Sequence, residues 1–268
     1  MLLTRHASRE GIVWCVDGHA LPTETTLIDL LQMDAKEMNS LLLESPHERT
    51  QDRVAPIEPH QEVWASGVTY LRSRVEREAE SSSSDVYSTV YTAERPELFF
   101  KSVGWRVVGD GDPIRIRKDS EWNVPEPELT LVINAKGQII GYTIGNDVSS
   151  RSIEGENPLY LPQAKMYDGS CALGPGIVVA SAKDIEFLPI EMEIWRGDEC
   201  IFEDRTDLSQ MKRELNELVS FLFREMSFPD GVFLMTGTGI VPAAPFTLEI
   251  GDHVIIRIGE LTLANKVG

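Results

Sequence analysis

The chain has 268 residues, of which 42% are hydrophobic and 25% charged, so its composition is that of an ordinary globular protein with enough apolar material for a large core. Its formal net charge of −18 at pH 7 excludes functions that need a basic surface, such as binding nucleic acid or an anionic membrane. The three cysteines are scattered and form no CxxC or Cys/His cluster, which predicts reduced thiols, a cytoplasmic location and no zinc site.

Two domains are predicted, a small α+β unit at residues 1–58 and a larger domain at residues 59–268. In the smaller unit, a short strand over residues 11–16 leads into an Asp17-Gly18 turn. Helical periodicity follows over residues 26–43. The N-terminus lacks the apolar core of a signal peptide, so we expect no secretion.

The larger domain is predicted to be mostly strands separated by turns. The candidate strand segments are residues 62–70, 97–102, 113–117, 126–147, 190–202 and 248–267. One amphipathic helix interrupts them, and its apolar residues are expected to pack in the core: Leu208, Met211, Leu215, Leu218 and Leu222. The most apolar window, residues 228–246, contains three Pro and three Gly, which favours buried strands and loops over a membrane span. Without βαβ alternation, the pattern predicts a β-rich α+β fold.

Three carboxylates are expected to converge at one end of a β-hairpin. Glu126 and Glu128 precede an apolar run, Lys136-Gly137 forms the turn, and a second apolar run ends at Asp147. A turn centred on Lys136-Gly137 places Glu126 opposite Asp147 and Glu128 opposite Gly145. Because residues two apart in a strand share a face, all three acids point the same way.

Three clustered acids repel one another unless a cation lies among them, and ligation by oxygen alone suits Mg²⁺, with Mn²⁺ or Ca²⁺ as substitutes. Pro125 and Pro127 flank the first glutamate and stiffen the strand entrance, which favours a metal site. Two alternatives remain open at this point. The acids could form a solvated strand end, or they could hold a structural Ca²⁺ in a non-catalytic binding protein.

Beyond the paired glutamates, further motifs occur in a fixed order. They are GNDVSSR at residues 145–151, QAKMYDGSCALGP at residues 163–175 and TGTG at residues 236–239. With this ordered set, the chain resembles the fumarylacetoacetate hydrolase superfamily from about residue 64 to its C-terminus. The resemblance implies a mixed β-sandwich roll, a homodimer or homotetramer, and Mg²⁺ bound by Glu126, Glu128 and Asp147.

The resemblance also implies a small 2-oxo acid as substrate, whose adjacent oxygens can chelate the metal. Hydrolases of the superfamily carry a catalytic His shortly after a G-x-x-Y motif, but residues 67–80 contain no His. They also tend to have Gln three residues after the active-site arginine, where this chain has Glu154 after Arg151. These departures disfavour the usual C–C bond hydrolysis. Hydrolysis or decarboxylation of an acylpyruvate or another diketo acid is retained as the alternative.

Three further stretches, at residues 64–74, 95–102 and 151–165, look most like the sugar-acid dehydratase branch of the superfamily. The resemblance implies a Mg²⁺-dependent hydro-lyase that converts a 2-keto-3-deoxy sugar acid, such as 2-keto-3-deoxy-arabonate or 2-keto-3-deoxy-xylonate, to 2,5-dioxopentanoate. The reaction would form an enolate at C3 and expel the C4 hydroxyl. Lys165 is the candidate base or enolate partner, and Glu97 is the candidate for the hydroxyl proton. Which of the two takes the first proton is left open.

Four other residues are expected to bind substrate. Arg151 matches the superfamily's active-site arginine. Arg72 or Arg74 could clamp the substrate carboxylate, although a surface ion pair with nearby acids is an equal alternative for these two arginines. Thr236 and Thr238 lie in a glycine-rich turn that brings backbone N–H groups close to a ligand.

Overall fold

The structure is a computed structural model that describes residues 1–8, 11–22, 24–33, 47–48, 53–72 and 89–268. Strands dominate it, as the sequence predicts, and they form sheets of eleven, four and two strands. The strands are β1 Leu2–Ser8, β2 Gly11–Val16, β3 His19–Ala20, β4 His47–Glu48, β5 Arg53–Val54, β6 Glu62–Ala65, β7 Phe99–Val103, β8 Asn123–Val124, β9 Pro127–Ile133, β10 Ile139–Asp147, β11 Ser149–Ser150, β12 Cys171–Val179, β13 Pro189–Arg196, β14 Glu199–Asp207, β15 Val232–Met235, β16 His253–Ile258 and β17 Leu261–Lys266.

The helices are short. Those described over their whole length are α-helices Leu27–Gln32, Arg151–Glu156, Leu161–Lys165, Ala182–Ile185 and Leu215–Leu222, and 3₁₀ helices Gly104–Arg106, Pro158–Tyr160 and Leu208–Gln210. Within the described residues, no helix combines the length and apolar character needed to span a membrane.

The large sheet separates two apolar cores. Its main strand order is β4-β3-β2-β1-β12-β10-β9-β15-β6-β7, with β5 pairing on β1. One face packs against the four-stranded sheet β14-β13-β16-β17 and helix Leu215–Leu222, and the other face packs against helix Leu27–Gln32. Strand β9 contributes to both cores, since Leu131 belongs to the first and Val132 to the second. Its alternating side chains are therefore buried on both faces.

The predicted N-terminal strand and turn are confirmed, whereas the predicted helix ends early. Strand β2 forms as expected, and Asp17 adopts a positive φ of 48° in the turn that follows. The helix begins at Leu27 behind a Thr26 cap and ends at Gln32, because Met33 is extended with a ψ of 149°. The rest of the predicted helical stretch, residues 34–43, lies outside the described residues. Strand β1 pairs with β12, so one sheet is continuous across residue 58. The boundary between residues 1–58 and 59–268 stays a prediction.

Two predicted elements differ from the structure. The helix expected from Leu208 is interrupted, because Met211 bridges to Tyr70 and the Lys212 amide donates to the Thr69 carbonyl at 2.9 Å. The α-helix begins only at Leu215, although the predicted burial of its leucines is confirmed. The strand predicted at residues 113–117 is reduced to an isolated bridge between Ile114 and Val267.

The hairpin of β9 and β10 has the predicted register at the end that carries the acids. Gly145 pairs with Glu128, and the Asp147 amide donates to the Glu126 carbonyl at 3.0 Å. Near the turn the observed pairing differs by one residue from the predicted pairing, because Ile139 lies opposite Ile133. An irregularity between Ile139 and Gly141 absorbs the extra residue. The turn and the bulge together determine which face of the sheet carries the three acids.

Candidate active site

Three buried carboxylates meet where the hairpin ends. Glu126, Glu128 and Asp147 each offer one oxygen, and these oxygens lie within 4.8 Å of one another. All three side chains are buried. The structure therefore brings together the predicted metal-ligand residues on one face of two neighbouring strands, in an arrangement that could hold a metal ion.

Two of the predicted cationic residues contact this cluster. Helix Arg151–Glu156, capped by Ser150, places the Arg151 guanidinium 2.5 Å from Glu126 Oε1 and 2.6 Å from Glu154 Oε2. Lys165 is the last residue of helix Leu161–Lys165, and its Nζ lies 2.6 Å from Glu126 Oε2 and 2.9 Å from Asp147 Oδ2.

A second lysine in the site was missed from the sequence. Lys101 in β7 is fully buried, and its Nζ lies 2.5 Å from Asp147 Oδ1 and 2.5 Å from the Lys165 carbonyl oxygen. One signal could have revealed it, since a lysine between Phe100 and Ser102 in an otherwise apolar strand must find a buried partner.

Glu128 is the carboxylate that most lacks positive charge. In the described part of the chain no lysine or arginine forms an ion pair with it. Its carboxylate accepts a hydrogen bond from the Gly237 amide at 2.6 Å. Burial raises the pKa of Glu128 well above its usual range, and repulsion from Asp147 and Glu126 raises it further.

The pairing of charges in the cluster fits a divalent cation. Among the described residues, the three cations Arg151, Lys165 and Lys101 form ion pairs with Glu126, Asp147 and Glu154, and none of these pairs includes Glu128. Carboxylate oxygens are the ligands that Mg²⁺ prefers. The donor set and the unpaired Glu128 therefore both fit the metal.

A small pocket opens beside the acids. Besides the three carboxylates and Lys165, its wall is formed by Ser66, Gly67, Val68, Phe99, Gly237 and Thr238. Val68 has a φ of 54°, which is unusual for a β-branched residue and marks local backbone strain at the pocket.

Glu97 lies directly behind the pocket wall. An ideal Cβ built on Gly67 would come within 2.0 Å of Glu97 Oε2, so the Glu97 carboxylate packs against the Gly67 backbone. Only a glycine at position 67 lets that carboxylate approach so closely. The predicted proton donor is thus next to the pocket although it does not line it.

The other predicted substrate ligands are less clearly placed. Thr238 lines the pocket, whereas the Thr236 hydroxyl donates to the Leu129 carbonyl at 2.9 Å. Arg72 is 46% exposed and pairs with Asp204 at 2.6 Å, which is the surface ion pair left open as its alternative. Arg74 lies outside the described residues. The substrate-binding roles of these residues stay predictions.

Gly237 supports the site through its backbone, and we expect Gly237→Ala to damage both fold and metal binding. Its φ is 93°, and a Cβ there would lie 2.0 Å from Thr69 Oγ1 and 2.9 Å from the Ser66 carbonyl oxygen. We expect the free energy of unfolding to fall by about 1–3 kcal/mol, measured by urea denaturation. Gly18→Ala is the control, because Gly18 has a similar φ of 85° but open space around its Cβ position. Equal losses in the two variants would show that the close approach at Gly237 does not matter.

Comparison with known proteins agrees with this geometry. A probable 2-keto-3-deoxyxylonate dehydratase of Haloferax volcanii is 53% identical over 77% of this chain and 72% of the relative, and a 2-dehydro-3-deoxy-D-arabinonate dehydratase of Saccharolobus solfataricus is 44% identical over 77% and 70%. A solved 2-keto-3-deoxy-D-arabinonate dehydratase complexed with magnesium and 2,5-dioxopentanoate matches 100% of this chain and 98% of its own with a TM-score of 0.82 and 35% identity. The model for the fumarylacetoacetate (FAA) hydrolase C-terminal domain matches residues 62–268. The chain therefore belongs to the fumarylacetoacetate hydrolase family.

Proposed function

We propose that this protein is a Mg²⁺-dependent dehydratase that converts a 2-keto-3-deoxypentonate to 2,5-dioxopentanoate. The observation that carries the proposal is the Lys165 side chain in contact with two of three clustered carboxylates, in a chain whose relatives are dehydratases of such acids. A solved relative with magnesium and 2,5-dioxopentanoate supports the metal and the product.

Glu126, Glu128 and Asp147 would hold the metal with one oxygen each. When bound, Mg²⁺ supplies a Lewis acid for the adjacent carbonyl and carboxylate oxygens of a 2-oxo acid. For the loss of water, the residues of the chain must then move two protons, one from C3 and one to the C4 hydroxyl, and exclude water from side reactions.

Lys165 is the proposed base for the C3 proton. Its Nζ has three acceptors, Glu126 Oε2, Asp147 Oδ2 and Ser149 Oγ, and these match the three N–H donors of an ammonium. An ammonium has no lone pair and cannot accept a proton, so Lys165 acts as a base only after it has released one. Its burial against Phe99, with the ring centroid 5.6 Å from Nζ, keeps bulk water away from the transfer.

Glu97 is the proposed acid for the departing C4 hydroxyl. Loss of the C3 proton and the C4 hydroxyl forms a C3–C4 double bond and releases one water. A proton shift from C5 to C3 then gives an enol that becomes the C5 aldehyde of 2,5-dioxopentanoate, so the atoms balance without a redox partner.

We expect Glu97→Gln to lower kcat by about 10²-fold with little change in KM, because the amide keeps the shape of the side chain but cannot donate an acidic proton. Steady-state kinetics with the pentonate measure this effect. Gly67→Ala tests whether the position of the Glu97 carboxylate matters, because the added Cβ would displace this carboxylate. The end of the Glu97 side chain is flexible and can move without unfolding the chain. We expect Gly67→Ala to lose activity while its melting temperature stays near that of wild type. A fully active Glu97→Gln variant would remove Glu97 from the mechanism.

Dehydration is favoured over hydrolysis by the pocket itself. None of the described residues that line it is a histidine, so this described part of the wall offers no imidazole to activate water. The decisive assay offers the purified protein with MgCl₂ the two C4 enantiomers of 2-keto-3-deoxypentonate, because C4 is the one stereocentre left in such a substrate. Magnesium-dependent formation of 2,5-dioxopentanoate supports the proposal. Release of pyruvate from acylpyruvates, with no turnover of either pentonate, would replace it with the hydrolase alternative.

A further inference from the structure

The two lysines of the site differ in what they contact. Lys165 lines the pocket, whereas Lys101 is fully buried and is not among the described residues that line it. Lys101 is therefore too deep to touch a substrate, although it lies against both the metal-binding carboxylates and the proposed base.

We infer that Lys101 is a positioning residue that fixes Asp147 and Lys165 relative to each other. Its Nζ contacts the Asp147 carboxylate and the Val148 carbonyl at the end of β10, at 2.5 and 3.3 Å. The same atom reaches the Lys165 carbonyl at 2.5 Å and the Ser170 hydroxyl at 3.4 Å, on the far side of helix Leu161–Lys165. One buried ammonium thus joins the strand that carries a metal ligand to the helix that carries the base.

Neutralising Asp147 does not by itself explain Lys101. Lys165 already pairs with Asp147 Oδ2 at 2.9 Å, so this carboxylate has a cation without a second lysine. Lys101 occupies the other oxygen, Oδ1, at 2.5 Å. With a cation at each oxygen, rotation of the carboxylate about its Cβ–Cγ bond is disfavoured. Such outer contacts orient metal ligands, and their removal typically weakens metal affinity or activity by about 10–100-fold.

The base is held in a comparable way through its backbone. The Lys165 carbonyl accepts hydrogen bonds from the Lys101 Nζ at 2.5 Å and from the Ser170 hydroxyl at 2.8 Å. These two donors fix the end of the helix from which the long Lys165 side chain extends. A small shift there is carried to the Lys165 Nζ, where misplacement by about 1 Å can cost about 10²-fold in rate.

The test compares Lys101→Met with Ser170→Ala. Lys101→Met keeps the length of the side chain without its charge, and we expect it to weaken Mg²⁺ binding, measured by titration calorimetry on chelator-stripped protein, by about 10–100-fold. At saturating Mg²⁺ its kcat should fall by a similar factor while the KM for substrate stays within about threefold, since Lys101 does not contact substrate. Ser170→Ala removes a donor to Lys165 but none to Asp147, so it should lower kcat by about three- to tenfold and leave Mg²⁺ affinity unchanged. Lys136→Met, in the exposed turn of the same hairpin, is the control for loss of charge alone.

Unchanged Mg²⁺ affinity and kcat in Lys101→Met, with or without a lower melting temperature, would overturn the inference. If Lys101→Met does not fold, Ser170→Ala decides the matter, because wild-type kcat in that variant also overturns it. The effect on kcat rests on the proposed function, but the effect on Mg²⁺ affinity does not. Wild-type protein that binds Mg²⁺ and converts no pentonate would contradict the proposed function, and the calorimetric comparison would still decide the role of Lys101.

Discussion

Replacing Lys165 with Met is expected to abolish turnover while Mg²⁺ binding is retained. Methionine fills the space of the side chain but cannot carry a proton, and loss of a general base typically costs about 10²–10⁴-fold in rate. We expect kcat to fall by about 10³-fold in steady-state assays with the pentonate. Mg²⁺ affinity, measured by calorimetry, should be no weaker than in wild type, because Glu126 and Asp147 lose the ammonium that they share.

The measurement must be made with Mg²⁺ present. Without the metal, Lys165→Met leaves two buried carboxylates short of a positive charge, which lowers stability. Lys136→Met again controls for charge and should have wild-type kcat. A Lys165→Met variant with kcat within tenfold of wild type would contradict the assigned base and would favour Glu97 as the residue that takes the first proton.

The hairpin was predictable because short-range rules determine it. Alternation along a strand puts Glu126 and Glu128 on one face, and the predicted pairing of Glu128 with Gly145 is the one observed. The bulge between Ile139 and Gly141 was not predictable from these rules, and the structure adjusts the pairing near the turn to accommodate it. The register at the acids is correct because burial on both faces of β9 penalises a one-residue slip.

The missed features depend on contacts between residues far apart in the chain. Lys101 pairs with Asp147, 46 residues later, and neither periodicity nor spacing reports such a contact. The break before Leu215 has the same origin, since a bridge from Tyr70 to Met211 overrides a helical pattern that is locally consistent. Sequence patterns gave the ligand set, whereas tertiary pairing decided how each ligand is held.

Glu128→Gln is expected to abolish Mg²⁺ binding and yet to stabilise the metal-free protein. The glutamate is 2% exposed, and no described lysine or arginine forms an ion pair with it, so the metal-free folded protein disfavours the negative charge of this carboxylate. Glutamine removes that charge and can still accept the hydrogen bond from the Gly237 amide. We expect a gain of about 1–3 kcal/mol in the free energy of unfolding at pH 8, measured by urea denaturation of chelator-stripped protein.

The gain should grow with pH. Because the pKa of Glu128 is raised in the folded protein, this carboxyl is protonated at pH values where the unfolded chain has already lost the proton. Its favourable contribution to stability is therefore complete below the pKa of the unfolded chain and is lost as pH rises through the folded value. Near pH 4 the wild-type side chain is neutral, like glutamine, and the two proteins should have similar stability.

The exposed Glu199 in β14 provides the control for this effect. Glu199→Gln makes the same change of charge on the surface, so it should shift stability by less than about 0.5 kcal/mol across the pH range. Stabilisation by Glu128→Gln that is equal at pH 4 and pH 8 would show that charge at Glu128 is not its cause. A loss of stability at pH 8 would show that the metal-free protein already compensates this carboxylate. The metal site would then owe its affinity to Glu126 and Asp147 rather than to an acid held in place for a cation.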